Sequence, residues 1–467
     1  MNSQKKSVTI IGAGLTGLML SIYLAKRGYT VTIYDFRPDP DVTYYKYDGS
    51  GRAMSLDLSV RGLLALSEIG LDKNILSRSI PMKKRVIHLL DGALIDLPYG
   101  KGDDTYINTV ARSDLHKHLL SKARTFNAVK IHFNQRFLSF DLKSKKASFI
   151  DEITQEEYTV PTTLLVGCDG VHSSVREYIE QTSGTSFVKH PFNYEYKALK
   201  VPASLAEALE LEAMHMWPRQ NSMLVAQPDY EGSFTSVLLL PKDGTKSFKN
   251  ILKNPETIRS FFQQEFGDVC PLIPDLVEEM INNPMGSFVT TTGGQWQLEG
   301  KVLIMGDSAH SMTPFFGQGI NCCFEDCYLL NKYLDKFEDN WDVALPIFEK
   351  NRKIDTEAIA IMSLENYPEL TNPNWKHFIL QREIEDFLMD HYKEFYTSYH
   401  NLVCFDKVPY RYAKFVRTLQ KELIKDISYK IKSIKELTKS KILSVIDDYQ
   451  FNINQYSQMA TYEHIET

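Results

Sequence analysis

The segment VTIIGAGLTGLMLSIYLAKRGYTVTIYD, residues 8–35, decides the fold of the first part of the chain. A short β-branched run ends at Ile11, three glycines follow in G-x-G-x-x-G spacing, and residues 18–26 have the apolar pattern of a helix. A second β-branched run, Thr30–Tyr34, ends at an acid, Asp35. This order of strand, glycine turn, helix, strand and acid is typical of a Rossmann βαβ unit that binds a dinucleotide.

Each part of this segment has a physical role in such binding. Gly12 permits the tight turn, Gly14 lets a pyrophosphate approach the backbone, and Gly17 lets the helix pack closely on the strand. The first amides of the helix point at the phosphates, and Asp35 is placed to bind a ribose 2′-hydroxyl. We therefore favour dinucleotide binding over a plain glycine-rich βα turn.

The composition indicates a globular protein that is large enough for two or more domains. The chain has 467 residues, of which 43% are hydrophobic and 24% charged, and its net charge of −6 gives no basic field that would favour nucleic acid. The six cysteines lack the paired spacing of a zinc site, so we predict no metal and interpret them as buried thiols of a cytoplasmic protein. A redox or metal site at Cys322, Cys323 and Cys327 is the alternative.

The segments that direct a protein to or through a membrane are not apparent in the sequence. Residues 1–7 are polar and lack the apolar region of a signal peptide. No apolar run is long enough to span a bilayer. Residues 419–446 have a Lys-rich amphipathic pattern, which favours a helix packed on the protein body and leaves a peripheral membrane helix as the alternative.

A second motif, LLVGCDGVHSSVR at residues 164–176, is a strand that turns into a helix at Asp169 and Gly170. A third, VLIMGDSAH at residues 302–310, delivers Gly306 and Asp307 at the carboxyl end of a buried strand. Ligands of open α/β sheets bind at that end of the strands.

The residues that follow the third motif predict contact with a flat ligand. Pro314, Gly317 and Gly319 have small side chains or none, so the backbone can pass close to the ligand. A helix that begins near Gly319 directs its N-terminal amides and positive dipole end at the ligand. Such a helix end could stabilise an anionic reduced flavin. His310 is a weak catalytic candidate, because a packing or hydrogen-bonding histidine is favoured at this position.

The three motifs, in this order, resemble those of the FAD-dependent aromatic hydroxylases, the group A flavoprotein monooxygenases. The chain looks most like the kynurenine 3-monooxygenase branch of that family. The similarity runs from about residue 7 to about residue 415 and is carried by the stretches 51–62, 81–88, 97–100, 215–219, 314–327 and 366–369.

The resemblance implies an α/β fold with a Rossmann-like FAD-binding domain, an inserted β-sheet substrate domain and C-terminal helices. We expect the FAD-binding domain at residues 1–184, with a substrate-contacting hairpin at 81–100, and its return at 293–345. The substrate domain would occupy residues 185–292 and the helical region residues 346–467.

The motifs and the resemblance together assign the site. The expected FAD-binding residues are Gly12, Gly14, Leu15, Thr16, Gly17, Tyr34, Asp35, Phe36, Arg37, Arg52, Asp57, Arg112, Phe137, Asp169, Gly170, Gly306, Asp307, Pro314, Gly317, Gly319, Ile320 and Asn321. The expected substrate contacts are Arg85 and Tyr99 at the amino-acid carboxylate, then Phe315, Asn366 and either Tyr399 or His400, where the family has a tyrosine. Ser55 stands where members often have Asn.

The implied reaction is the hydroxylation of L-kynurenine to 3-hydroxykynurenine with NADPH, FAD and O₂, through a flavin C4a-hydroperoxide. A second G-x-G-x-x-G is absent, so NADPH is expected to bind transiently. Two alternatives stay open at this point: a hydroxylase of the same fold that acts on another aromatic carboxylate or amino acid, and a flavin oxidoreductase or binding module without hydroxylation. The oligomeric state is not indicated.

Overall fold

The computed structural model describes residues 6–42, 55–100, 105–371, 374–456 and 460–461. The first part of the chain alternates strands and helices. Its elements are β1 (Ser7–Ile11), α1 (Leu15–Lys26), β2 (Thr30–Tyr34), β3 (Ser55–Leu58), α2 (Val60–Glu68), α3 (Asp72–Leu76), β4 (Ile80–Met82), β5 (Lys84–His88), β6 (Leu94–Pro98), β7 (Ile107–Ala111), α4 (Arg112–Arg124), β8 (Val129–His132), β9 (Gln135–Asp141), β10 (Lys146–Asp151), β11 (Glu157–Pro161), β12 (Leu165–Gly167) and α5 (Ser174–Ser183).

Long antiparallel strands dominate the middle of the chain, and helices dominate its end. The middle elements are β13 (Phe187–Val201), β14 (Ala213–Arg219), β15 (Ser222–Pro228), β16 (Phe234–Pro241), α6 (Phe248–Ile251), α7 (Pro255–Glu265), α8 (Leu276–Asn282) and β17 (Gly286–Gly293). The last elements are β18 (Gln297–Leu298), β19 (Val302–Ile304), α9 (Asp307–His310), α10 (Gly319–Lys336), α11 (Trp341–Leu370), α12 (Trp375–His391), α13 (Tyr399–Cys404), α14 (Tyr410–Lys430) and α15 (Lys439–Gln455).

The Rossmann-type sheet has six strands in the order β18-β19-β12-β1-β2-β8. Strands β1, β2, β8, β12 and β19 run parallel, so the three predicted motifs end at one edge of the sheet. The turn after β1 depends on Gly12, whose φ of +103° is unfavourable for other residues. The chain thus brings its glycine turn, Asp169 and Asp307 to the same edge, where a dinucleotide is expected.

Helix α1 begins at Leu15, earlier than the residue 18 that the apolar pattern predicted. Gly17 is therefore inside the helix, not in the turn. A Cβ at Gly17 would lie 2.0 Å from the Gly12 carbonyl oxygen, so only glycine lets the helix approach the turn this closely.

The second large sheet has seven strands in the order β17-β13-β16-β15-β14-β5-β6. Its central strands come from the middle of the chain, but the hairpin β5–β6 joins them from the first part. Strand β5 pairs in parallel with β14, which places Arg85 opposite Met214. The predicted hairpin therefore extends the sheet that faces the cavity described below.

Two small sheets, β11-β10-β9 and β3-β7-β4, complete the strands of the described residues. Strands β10 and β11 were not predicted. The proposed division into four sequence segments is not tested by the strand pairing and stays a prediction.

The C-terminal helices form their own apolar core against the rest of the protein. The stretch 419–446, predicted as one helix, is divided between α14 and α15, which are separated by residues 431–438. Helix α14 buries a face that includes Val416, Leu423 and Ile427, which agrees with the predicted packing on the body. Among the described residues, no helix combines the length and apolar character that crossing a membrane would require. Peripheral membrane contact by this region stays a prediction.

Candidate active site

A cavity of about 790 Å³ lies between the carboxyl edge of the six-stranded sheet, one face of the seven-stranded sheet and the C-terminal helices. Its volume is in the range of ligand-binding pockets. The wall contains most of the predicted site residues, namely Gly12, Gly14, Leu15, Thr16, Tyr34, Asp35, Phe36, Arg37, Asp57, Arg85, Tyr99, Arg112, Phe137, Asp169, Gly170, Asp307, Pro314, Phe315, Gly317, Gly319, Ile320, Asn366 and His400.

Four predicted binding residues lie outside this wall. Gly17 and Gly306 lie behind the wall, where a Cβ would clash with neighbouring atoms. The side chain of Asn321 also lies behind the wall and forms hydrogen bonds to the backbone of Asp57 and Ser59. The hydroxyl of Tyr399 donates to Glu369 at 3.3 Å, outside the wall. Arg52 lies outside the described residues.

One end of the cavity is the N-terminus of α1. Gly14 is the N-cap residue of this helix and provides no side-chain cap. A Cβ there would meet no atom within 4 Å, so the first backbone amides of the helix are open to the cavity. The carboxylate of Asp35 closes this end: it accepts from the Ala13 amide at 2.6 Å and from the Arg37 guanidinium at 2.7 Å. The predicted ribose-binding acid is thus oriented by two partners.

A second long helix with its N-terminus in the wall is α10. Gly317 precedes it with φ +62°, and a Cβ at Gly319 would meet no atom within 4 Å. The side-chain amide of Asn321 donates to the carbonyls of Asp57 and Gly317, both at 2.8 Å, and thereby joins β3 to this loop. Helix α10 is 18 residues long and begins at Gly319 in the cavity wall. Its positive dipole end therefore faces the cavity.

These two helix ends fit FAD. Gly14 and Gly319 each leave space that a side chain would fill, and uncapped amides at α1 suit a pyrophosphate. The positive end of α10 suits the charge that a flavin ring gains on reduction. The residues present therefore fit the cofactor that the motifs predict.

Asp57 is a buried acid in the wall between the α10 loop and the seven-stranded sheet. Its Oδ1 accepts from the Gln227 side chain of β15 at 2.7 Å. Burial raises the pKa of Asp57 to about 7, and the hydrogen bond from Gln227 lowers it only in part. This carboxyl therefore titrates near neutral pH.

A cationic corner lies where β5, β6 and the C-terminal helices meet. The Arg85 guanidinium is 5.3 Å from the centre of the Tyr99 ring, and its buried Nε has no hydrogen-bond partner among the described residues. Arg382 from α12 lines the same cavity and pairs with buried Glu385 at 2.6 Å. A carboxylate ligand would satisfy Arg85 with charge-assisted hydrogen bonds.

His400 lies beside this corner, in ring contact with Phe316 at 5.1 Å between centroids. Burial and the neighbouring Arg382 and Arg85 hold the pKa of His400 well below its usual range. The imidazole is therefore neutral at physiological pH. Of the two candidates for the last substrate contact, the wall contains His400 and not Tyr399.

The rest of the corner region is apolar and aromatic. Side chains from the seven-stranded sheet cover this part of the wall: Tyr196, Met214, Met216, Met223, Val225, Val237, Leu239 and Phe288. Asn366 donates from α11 to the Phe315 carbonyl at 2.7 Å and fixes the loop above them. A flat aromatic group fits between such surfaces, which also exclude water.

His310, the weak catalytic candidate, lies outside the cavity wall. Its Nε2 is 2.6 Å from Asp326 Oδ2, and Nδ1 faces Cys322 Sγ at 4.0 Å. These three buried groups lie close enough to hold a metal ion. However, Arg352 donates to both Asp326 and Cys322, and this cation disfavours a metal ion in the same place. The other clustered thiols, Cys323 and Cys327, are buried, and burial raises their pKa.

Several wall residues were not anticipated from the sequence. They are Gln227, Arg382, Cys404 and Phe405 near the corner and Arg136 and His172 near the opposite end. His172 lies inside the second motif but was not singled out there, whereas no local motif marks the other five, which reach the cavity through long-range packing.

Comparison with known proteins agrees with this geometry. Residues 5–342 match the family described as FAD binding domain. A protein of Legionella pneumophila (strain Corby) named kynurenine 3-monooxygenase is 38% identical over 452 residues, which are 95% of this chain and 98% of that protein. One of the same name from Myxococcus xanthus (strain DK1622) is 38% identical over 429 residues, or 91% of each chain.

Solved structures share the fold at lower identity. The tetrameric form of 2-methyl-3-hydroxypyridine-5-carboxylic acid oxygenase superposes with a TM-score of 0.65 at 20% identity over 80% of this chain and 94% of that one. PqsL of P. aeruginosa, solved with 2-aminobenzoylacetate, gives 0.62 at 18% identity over 79% and 97%. These likenesses confirm the predicted fold class. By its match to the FAD-binding family and to relatives that span nearly its whole length, the chain belongs to the kynurenine 3-monooxygenase family.

Proposed function

We propose that this protein hydroxylates L-kynurenine to 3-hydroxykynurenine with NADPH and O₂. The names of its relatives and the chemistry of the cavity support this activity. L-Kynurenine carries an amino-acid carboxylate at one end and an aromatic amine at the other. The cavity offers a cationic corner for the first and apolar walls for the second.

FAD, when bound, supplies the redox chemistry that activates O₂ for insertion into the ring. The residues at the ends of α1 and α10 would hold it. The protein's own task is to orient the substrate ring and to exclude water from the reacting centre. Asn366 contributes by fixing the loop around Phe315, and the methionines of β14 and β15 provide adaptable apolar contact.

Arg85 is the observation that carries the substrate proposal. An arginine whose buried Nε lacks a partner is costly unless a ligand satisfies it. A carboxylate can accept two parallel hydrogen bonds from a guanidinium, and the neighbouring Tyr99 would add one more through its hydroxyl.

The experiment is NADPH oxidation by the FAD-loaded protein with and without L-kynurenine, with the product mass measured in parallel. We expect strong stimulation and a product heavier by one oxygen atom. Stimulation without that product would mean that L-kynurenine is only an effector and that peroxide is released. No stimulation would direct the search to other aromatic carboxylates.

We also propose a cytoplasmic location. The six cysteines are free thiols, as expected in a reducing compartment. Measuring the distribution of a tagged full chain between cell fractions tests this proposal, and recovery in an oxidising compartment would contradict it.

A further inference from the structure

Asp57 has a property that FAD binding alone does not explain. Its Oδ1 is held by Gln227, but its Oδ2 has no hydrogen-bond partner among the described residues and belongs to a side chain in the cavity wall. A Cβ built on Gly317 would lie 2.7 Å from this Oδ2. The carboxyl therefore faces the loop that leads into the N-terminus of α10.

The backbone ties Asp57 firmly to that helix end. Asn321, in the first turn of α10, donates to the Asp57 carbonyl, and its own side-chain oxygen accepts from the Ser59 amide at 2.8 Å. Gln227 approaches from the seven-stranded sheet. Asp57 thus lies at the junction of the surface that fits the flavin and the surface that fits the substrate ring.

The other titratable groups near Asp57 keep their protons. Tyr99 extends from the end of β6, and burial raises the pKa of its hydroxyl far above neutral. Cys404 comes from α13, and burial raises the pKa of its thiol to about 12. The Arg85 guanidinium lies 5.3 Å from the centre of the Tyr99 ring, and Arg61 of α2 is paired with Glu325. Among the described residues of this junction, Asp57 is therefore the group whose charge can change near pH 7.

We propose that Asp57 takes up a proton from solvent when the bound FAD is reduced and releases it when FAD is reoxidised. This inference rests on the proposed function only in that the cavity holds FAD. The hydride donor transfers one hydrogen with two electrons to the flavin ring, whereas a separate proton from water forms the O–H bond of the carboxyl. Two neighbouring anions in a buried site disfavour each other, so the negative charge gained by the flavin favours the protonated carboxyl.

The midpoint potential of the flavin tests the proposal without any turnover. One pH unit is a tenfold change in proton concentration, which shifts a two-electron couple by about 30 mV for each proton taken up. From about pH 7 upward, the potential of the unchanged protein should fall about 30 mV per pH unit more steeply than that of Asp57→Asn. Parallel lines across pH 6–9 would overturn the proposal.

Asp57→Asn is nearly isosteric and keeps an oxygen for Gln227, but a second variant covers the case in which it fails to bind FAD. Gln227→Leu removes the donor at Oδ1, so the carboxyl should hold its proton more tightly. The steep part of the curve should then move to higher pH. A curve that superimposes on that of the unchanged protein would contradict the inference.

Asp426→Asn is the matched control, because Asp426 is exposed on α14, and its curve should not move. The potentials are measured without L-kynurenine. Failure of the proton uptake therefore leaves the proposed hydroxylation untouched, and failure of hydroxylation leaves the potentials interpretable.

Discussion

At the scale of single residues, the charge of Arg85 organises the substrate end of the cavity. Strand β5 presents it toward the Tyr99 ring, while the neighbouring Lys84 pairs with Asp96 and Glu210 outside the wall. Alternation along the strand thus separates a surface lysine from an arginine in the cavity wall. Without the family resemblance, the residue pattern would present both as ordinary strand cations.

Arg85→Met should raise the KM for L-kynurenine strongly. Removing one partner of a buried charge pair costs about 2–4 kcal/mol, or roughly 30- to 800-fold in KM. Steady-state kinetics at fixed NADPH measures this effect. Lys84→Met is the control and should leave KM nearly unchanged, whereas an unaltered KM in Arg85→Met would remove this residue from the carboxylate site.

The pair of His310 and Asp326 should make stability depend on pH. Burial alone would lower the pKa of His310, but the Asp326 carboxylate outweighs it and raises this pKa to about 10. Because the folded-state pKa exceeds the unfolded value of about 6.5, the stabilisation is complete below pH 6.5 and is lost as pH rises toward 10. The Tm difference between the unchanged protein and His310→Gln should be largest at pH 6 and narrow by pH 9.

An exposed histidine provides the comparison for this prediction. His377→Gln, near the start of α12, should show no difference that changes with pH. A His310→Gln difference that stays constant from pH 6 to pH 9 would mean that His310 is not charged in the folded protein.

The residues that could be predicted are those within local motifs. The glycines, Asp169 and Asp307 were identifiable because strand, turn and helix signals surround them. Arg382 has no such surroundings, because it lies on an amphipathic helix where an arginine usually faces solvent. Its role depends on how α12 packs against the cavity, which no short stretch of sequence encodes.

At the scale of elements, a buried ionic network joins α10 to its neighbours. Arg61 of α2 pairs with Glu325 at 2.5 Å, and Arg352 of α11 pairs with both Glu325 and Asp326 at 2.7 Å. Arg61 also donates to the carbonyls of Leu402 and Val403 in α13. Helix α10 is therefore held directly by α2 and α11, and Arg61 connects it to α13.

Arg61→Met should destabilise the protein by about 3 kcal/mol, because it leaves Glu325 less compensated and removes donors from buried carbonyls. The effect stays at the low end of the usual range since Arg352 still pairs with Glu325. Urea unfolding followed by tryptophan fluorescence measures it. Arg78→Met, which removes a pair with Asp114 at the surface, should cost less than about 1 kcal/mol, and equal losses would contradict this account.

Elements with strong local signals were predicted well. Strand β2 has the predicted bounds, and β1 and α1 differ only at their starts. Strands β10 and β11 were missed because only two of their eleven residues, Ala147 and Phe149, are buried, so the apolar alternation is weak. The pairing of β5 with β14 joins segments far apart in the chain, and such register depends on the assembled sheet.

At the scale of the whole molecule, the cavity exists only where three parts of the chain meet. The six-stranded sheet provides the glycine turns, the seven-stranded sheet provides the apolar face, and the C-terminal helices provide Arg382 and His400. Sequence motifs identified the first part and the fold class. The family resemblance predicted that Asn366 and His400 of the C-terminal helices contact the substrate, but residue patterns alone did not predict this third part of the wall.

NADPH oxidation with and without L-kynurenine, with the mass of the product read in the same reaction, tests the central claim most directly. The account predicts that L-kynurenine stimulates oxidation strongly, that a product heavier by one oxygen atom forms, and that Arg85→Met loses this stimulation at low substrate concentration. A protein that binds FAD but oxidises NADPH at the same rate with and without L-kynurenine, and forms no such product, would contradict it.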